Sequence, residues 1–170
     1  MTRATAYVGL GSNLAHPRCQ LARAASRLGR LPHTRLLMLS PSYVTAPLGT
    51  TEPQPDYVNA VAKLSTALRP RALLACLLAI ERRQGRRRVA GEARHAARPL
   101  DLDLLLYGRL RLRLPALVLP HPRMHERAFV LRPLLDVAPA ATIPRRGLAR
   151  QLLPGVRGQR IARTRTHSLR

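Results

Sequence analysis

Asp101 and Asp103 are two of only eight acidic residues in a chain of 170 with a formal charge of +22. They sit two positions apart in the apolar run LDLDLLLY at 100–107. A strand has a side-chain period of two, so both carboxylates project from one face. Leu100, Leu102 and Leu104 then enter the core from the other face. Two like charges side by side repel, and an apolar surround makes their burial costly. A divalent cation answers both problems, because Mg2+ takes carboxylate oxygens together with phosphate oxygens and waters. The competing reading is a pair of structural salt bridges to arginine, and a bare DxD is a weak motif.

Three further groups add chemistry to the pair. Arg86, Arg87, Arg88, Arg94 and Arg98 occupy the basic stretch 86–99 that leads into the Asp strand. Guanidinium forks match phosphate oxygens, and arginines beside a carboxylate pair suit polyphosphate transfer, where the work is positioning and charge neutralisation. No GxxxxGK[ST] loop occurs, which excludes a P-loop nucleotide site. Glu81, on the helix before this loop, reads as a surface residue pairing Arg82 or Arg86 unless it joins the strand carboxylates. In PHPRMHER at 120–127, His121 lies between two prolines with Arg123 and Arg127 close by, a combination suited to anion contact. The HxxxH spacing there lacks the metalloprotease glutamate, so a zinc site is rejected. Finally, Tyr57 and Asn59 share a strand face near the loop Thr45-Ala46-Pro47-Leu48-Gly49. One can stack and the other can read ring-nitrogen edges, which suits a flat heterocycle.

These groups need a scaffold. Residues 4–10 read as a strand, and Ser12 or Asn13 as the cap of a helix over 16–30. Residues 35–45 form a strand interrupted at Pro41, and 57–67 a third strand. Pro70 opens a helix over 71–83, and Gly85 ends it. Residues 100–107 are a strand, 109–114 a short strand pairing back on it, and 128–134 a last strand. A short helix is expected over 147–153. The order β-α-β-β-α-β with additions is an α+β sandwich of ferredoxin-like type, with helices packed on an antiparallel sheet. One catalytic domain is expected over 1–154, followed by a basic, mobile tail over 155–170.

Composition narrows the classes. The chain has no Trp, one Phe and four Tyr. Single-stranded nucleic acid needs several aromatic platforms, so the charge alone does not make an RNA binder and no nucleic-acid partner is expected. Much of the charge reflects a bias toward Arg and Ala, with Lys63 the only lysine. Cys19 and Cys76 belong to no metal pattern and read as small buried thiols in a reducing compartment. No apolar run of about 18 residues occurs, so no membrane span is expected. The N-terminus is too polar for a signal peptide, and the cytoplasm is the expected location.

Six segments together resemble the 6-hydroxymethyl-7,8-dihydropterin pyrophosphokinase (HPPK) family. They are GLGSNL at 9–14, YVTAPLG at 43–49, QPDYVNA at 54–60, IERRQGR at 80–86, RPLDLDLLLYG at 98–108 and LPHPRMHERAFVLRPL at 119–134. The resemblance implies a ferredoxin-like fold, a monomer, and transfer of the β,γ-pyrophosphoryl group of ATP to the pterin hydroxymethyl oxygen with release of AMP. It implies two Mg2+ ions on Asp101 and Asp103, with Arg88 and Arg98 binding phosphates and stabilising the transferring group. Glu81, Arg86, Leu104, His121 and Arg127 would lie on the ATP side. The pterin would sit between Tyr57 and Phe129, with Thr45, Pro47, Leu48 and Asn59 supplying contacts. His95 stands where the family places a lid tryptophan, which implies weaker closure over the substrates. The remaining readings are a homologue that binds pterin and ATP with little activity, and an RNA-binding module.

Overall fold

The computed structural model describes residues 2–49, 53–87 and 96–164. Its central strands alternate between two environments, except at a bulge where the consecutive Leu105 and Leu106 both join the second cluster. Ala6, Val8 and Leu10 of β1 (Ala4–Ser12) are buried on one face. So are Val58, Ala60, Ala62 and Leu64 of β4 (Tyr57–Thr66), and Leu102 and Leu104 of β5 (Asp101–Tyr107). Against this face pack α1 (Pro17–Gly29), through Leu21, Ala24 and Leu28, and α2 (Pro70–Arg83), through Leu73, Leu77 and Ile80. Both helices open on a proline, which loses no hydrogen bond in a first turn. Each fully buried leucine in this layer contributes about 1.5–3 kcal/mol of hydrophobic stabilisation.

The sheet is antiparallel throughout, in the order β10 (Ile161–Arg163), β3 (Tyr43–Thr45), β4, β1 and β5, with β2 (Thr34–Leu39) also paired to β4. The strand expected over 35–45 is therefore two strands, β2 and β3 (Tyr43–Thr45), separated at Pro41, which cannot donate to a ladder. β2 and β3 lie end to end along the same edge of β4, and counted as one interrupted strand they give the expected core order β-α-β-β-α-β.

Three local expectations are corrected. Residues 128–134 form no strand; Ala128–Val137 is a helix, α3. Its buried residues Ala128, Val130, Leu131, Leu134 and Val137 recur at spacings of three and four, a helical stripe that covers the second face of the sheet with Val61 and Leu105 beneath it. Pro133 lies inside it and is tolerated although it donates no bond to the preceding turn. Next, the short strand β6 (Leu112–Leu114) pairs with β7 (Leu117–Leu119), not with β5. Last, the chain does not leave the fold at 154. After a small hairpin of β8 (Thr142–Ile143) with β9 (Gly147–Leu148) and a 3-10 stretch, Ala149–Val156, it enters the sheet edge as β10 (Ile161–Arg163) beside β3. The boundary drawn at 154 therefore moves to Thr164 at least, and residues 165–170 lie outside the described residues. Cys19 is exposed and Cys76 half-buried, so neither is the core thiol expected. Among the described residues, no helix is long and apolar enough to cross a membrane.

Candidate functional site

Because α3 covers only part of the second face, the remainder forms the floor of a cleft of about 330 Å³. The strand register decides what stands on that floor. Gly11 faces Asp101 on β5 and Asn59 on β4, and Gly9 faces Asp103. Two glycines thus separate the carboxylates from Asn59 and leave the middle of the floor low. A Cβ on Gly11 would come within 3.1 Å of Asn59 Oδ1. Thr45 pairs with Tyr57 across β3 and β4 and brings both to the same cleft.

The carboxylates are held by different means. Asp101 accepts hydrogen bonds from Arg86 Nη1 and, at 3.5 Å, from Arg98 Nη1. Arg86 in turn donates to Glu81 Oε1 at 2.7 Å. Glu81 is 2% exposed and accepts the Leu102 backbone N–H at 2.7 Å. It is therefore no helix-surface residue and does not line the cleft; it fixes Arg86 and the start of β5 from behind. Asp103 keeps a little exposure toward the cleft, but protein surrounds it elsewhere. That burial, reinforced by the neighbouring Asp101 charge, pushes its carboxyl up to about 7. Arg86 is held above the usual guanidinium range, because its acidic partners outweigh the opposing effect of burial. Burial lowers Arg127, against the pull of Asp103.

The other wall carries the rings. Phe129, at the start of α3, lines the cleft with Tyr57, and the Arg127 guanidinium lies 5.5 Å from the Phe129 ring centre. That is cation–π range. Burial raises the Tyr57 hydroxyl above its usual value, and it donates to the Ala96 carbonyl at 3.4 Å. Asn59 is 5% exposed and donates Nδ2 to Thr45 Oγ1 at 2.9 Å. His121 does not line the cleft; its backbone N–H donates to the Leu105 carbonyl at 2.9 Å. Its Nδ1 accepts the Arg123 N–H at 3.3 Å, and burial followed by the Arg127 charge lowers it to about 4.

Of the residues singled out from the sequence, the structure brings Asp101, Asp103, Arg98, Arg127, Tyr57, Asn59, Thr45, Leu48 and Phe129 to one cleft. Arg86 and Glu81 support it from behind. Leu104 is 3% exposed in the helix-facing core, so its side chain cannot meet a nucleotide; the strand period that aims Asp101 and Asp103 outward aims it inward. Pro47 does not line the cleft, although Ala46, Leu48 and Gly49 do. Arg88, Arg94 and His95 lie outside the described residues.

Several contributors were not singled out. Asn13 caps no helix. Instead its Oδ1 accepts the Arg98 N–H at 2.9 Å, and its Nδ2 donates to Gln54 Oε1 at 3.2 Å and to the Pro55 carbonyl at 3.3 Å. It thereby ties the approach to Tyr57 to the approach to Asp101. Gly9 and Gly11 stand in the sequence only within GLGSNL at 9–14, yet their spacing of two on a strand places them on one face. Glu126 and Gln159 also line the cleft, the latter from the segment expected to be a tail.

Among the described residues, no group of three His, Cys, Asp or Glu side chains could hold a metal alone. Two carboxylates opening on a cleft fit Mg2+, which retains waters and completes its octahedron with substrate phosphates.

A sequence model of the family described as 7,8-dihydro-6-hydroxymethylpterin-pyrophosphokinase (HPPK) matches residues 7–139. The chain is 51% identical over 138 residues to the 2-amino-4-hydroxy-6-hydroxymethyldihydropteridine pyrophosphokinase of Pseudomonas aeruginosa, covering 81% of this chain and 83% of that protein. It is 44% identical over 149 residues to the Haemophilus influenzae protein of the same name, covering 88% of this chain and 91% of the other. The fold is also similar to a crystal structure of wild-type Plasmodium falciparum HPPK-DHPS with pteroate. That match has a TM-score of 0.70 at 13% identity and covers 90% of this chain but only 42% of the longer one.

Proposed function

The chain belongs to the 7,8-dihydro-6-hydroxymethylpterin-pyrophosphokinase family and is a pyrophosphokinase of folate biosynthesis, and we propose that the Asp101–Asp103 cleft is where it works. The reaction moves the β,γ-pyrophosphoryl group of ATP onto the hydroxymethyl oxygen of 6-hydroxymethyl-7,8-dihydropterin, giving the pterin diphosphate and AMP. The observation that carries the assignment is the register: carboxylates, a glycine floor, Asn59 and Tyr57 lie in adjacent rows on one sheet face, with Phe129 opposite.

Asp101 and Asp103 would hold Mg2+, which when bound neutralises phosphate charge and orients the polyphosphate. Arg98 and Arg127 flank these carboxylates and present guanidinium groups to a phosphate chain laid along the cleft. Arg88 would join them from the loop outside the described residues. The pterin would stack between Tyr57 and Phe129, with the Asn59 and Thr45 pair reading its polar edge. Asn59 and Thr45 are mutually bonded and buried, so they present fixed groups that need no reordering when the ring arrives. His121, neutral at physiological pH, would offer a ring N–H instead of a charge. We further propose that the protein acts as a monomer in the cytoplasm on these two small molecules.

Incubation with ATP, Mg2+ and the hydroxymethyl-dihydropterin should release AMP and the pterin diphosphate. Formation of ADP, or no turnover above background, would exclude the proposal. Asp101→Ala should lower kcat by about 10²–10³-fold or more, the scale of losing a preorganised electrostatic contact in a transition state. If its far-ultraviolet spectrum is native and its rate is unchanged, the cleft assignment is wrong.

A further inference from the structure

The residues that form the two ring-bearing walls are joined by one dipeptide, Gln159-Arg160, which lies beyond the 7–139 stretch matched by the family. Gln159 Oε1 accepts the Ala128 N–H at 2.8 Å, and its Nε2 donates to the Glu126 carbonyl at 2.7 Å. One side-chain amide therefore grips the backbone on both sides of Arg127, at the entry to α3 and immediately before Phe129. The next residue, Arg160, donates to Asp56 Oδ2 at 2.9 Å, and Asp56 immediately precedes Tyr57. Ile161 then pairs with Thr45 in the sheet. The same segment thus touches the Phe129 wall, the Tyr57 wall and the Thr45 strand within three consecutive residues.

The two arms differ in strength. Arg160 and Asp56 are both exposed, with side chains 74% and 42% accessible, and a solvated ion pair contributes little. Gln159 is half-buried, lines the cleft, and satisfies a donor at a helix start and the Glu126 carbonyl. It follows the 3-10 stretch Ala149–Val156, whose Val156 is buried in the cluster beneath α3, so its own backbone is anchored.

We propose that Gln159 is a positioning residue for the pterin site, holding the 126–128 turn so that Phe129 and Arg127 stand at a fixed distance from Tyr57. The inference rests on the pterin reading of the cleft. It makes no contact with the transferring group part of Gln159's role. Losing the clamp leaves Asp101, Asp103 and Arg98 in place and frees the turn that carries Arg127 and Phe129, so the larger cost falls on pterin binding.

The test uses the full chain at saturating ATP and Mg2+, comparing wild type with Gln159→Met and Gln159→Glu. Met fills similar space with no hydrogen bond. Glu keeps the acceptor for Ala128 but turns a carboxylate oxygen against the Glu126 carbonyl in place of the donor. The pterin KM should rise about tenfold in Gln159→Met, the scale of losing two neutral hydrogen bonds that order a wall, and at least as much in Gln159→Glu, where two acceptors face each other. In both, any fall in kcat should be smaller than the rise in the pterin KM, since Asp101, Asp103 and Arg98 stay in place while Phe129 and Arg127 shift together. Thermal unfolding on the same samples separates folding from positioning. An unchanged pterin KM in both variants overturns the proposal. So does a fall in kcat with KM unchanged, or a defect that merely tracks a lowered melting temperature. The wild-type rate alone decides the pyrophosphokinase reading, whereas the ratio of variant to wild type decides this one.

Discussion

Replacing Asp103 by Asn should abolish activity and yet stabilise the ligand-free protein, increasingly so as the pH rises. Burial, and then the Asp101 charge beside it, raise the Asp103 carboxyl from 3.8 to about 7. Between those values the native state holds a proton that the unfolded chain has lost. Stability from this group is therefore present in full below the unfolded value and is lost as pH climbs toward the folded one. The loss runs at about 1.4 kcal/mol per pH unit for one proton. From pH 5 to pH 8.5 it accumulates over about two units and then levels off, for a total of roughly 2–3 kcal/mol. An amide at this position resembles the protonated acid and never ionises. Asn is thus already favourable at pH 5, by about 1–2 kcal/mol, and more so at pH 8.5, by a further roughly 2–3 kcal/mol. In a chain of this size the difference is about 5–10 °C in melting temperature. His121 works in the opposite sense: burial lowers it to about 4, so its contribution is lost as pH falls from its ordinary value. Both proteins share that term, and it cancels in the difference between wild type and Asp103→Asn at each pH. The assay is thermal and urea unfolding in EDTA at pH 5 and 8.5. A difference equal at both values, or a variant less stable than wild type at pH 8.5, would refute the reasoning.

Gly11→Ala should raise the pterin KM, because the new methyl meets Asn59 Oδ1 at 3.1 Å and must displace the side chain that reads the ring edge; steady-state kinetics with an unchanged KM would count against the placement of Asn59. Tyr43→Phe should cost about 1–2 kcal/mol in urea unfolding without affecting KM, since it removes the 2.7 Å bond to Asp136 that joins β3 to α3. The Tyr43 hydroxyl, pushed up to about 12 mainly by burial, remains protonated throughout the accessible range, so that loss should not vary between pH 6 and 9.

The parts of this architecture legible in the sequence are those governed by a single local period. The Asp101–Tyr107 strand, with its alternation of leucine and aspartate, states both its conformation and which face meets the core. The helices at 17–29 and 70–83 state theirs through leucine spacing and an opening proline. Residues 128–134 failed because Ala-Phe-Val-Leu reads equally well as a strand, and the helical stripe becomes evident only once Leu134 and Val137 are included. Glu81 failed for a different reason. Its burial depends on Arg86 folding back and on the Leu102 N–H being left for it to bind, and neither is a property of its own helix. Gln159 could not have been found from the site motifs at all, since it reaches the cleft only because β10 pairs with β3 far away in sequence.

The ligand-free cleft neutralises its two aspartates by different means, and that difference follows from position on one strand. Asp101, at the start of β5, lies within reach of Arg86 and Arg98 at the ends of the basic loop, so guanidinium groups balance it. Asp103 lies one repeat further into the sheet, where Arg127 is the nearest cationic influence and is itself weakened by burial. Its carboxyl is balanced instead by rising toward neutrality. A substrate that arrives with its own cation removes the need for both arrangements. Arg86 cannot move far, because the buried Glu81 holds it, but Arg98 contacts Asp101 only at 3.5 Å and is otherwise anchored to the chain through its own Nε and backbone N–H. Arg98 is therefore the guanidinium best placed to leave a carboxylate for a phosphate without disturbing the fold. The proton on Asp103 must depart in the same exchange, so nucleotide binding with Mg2+ should release a proton near pH 6–7, in step with the pH-dependent stability of the empty protein.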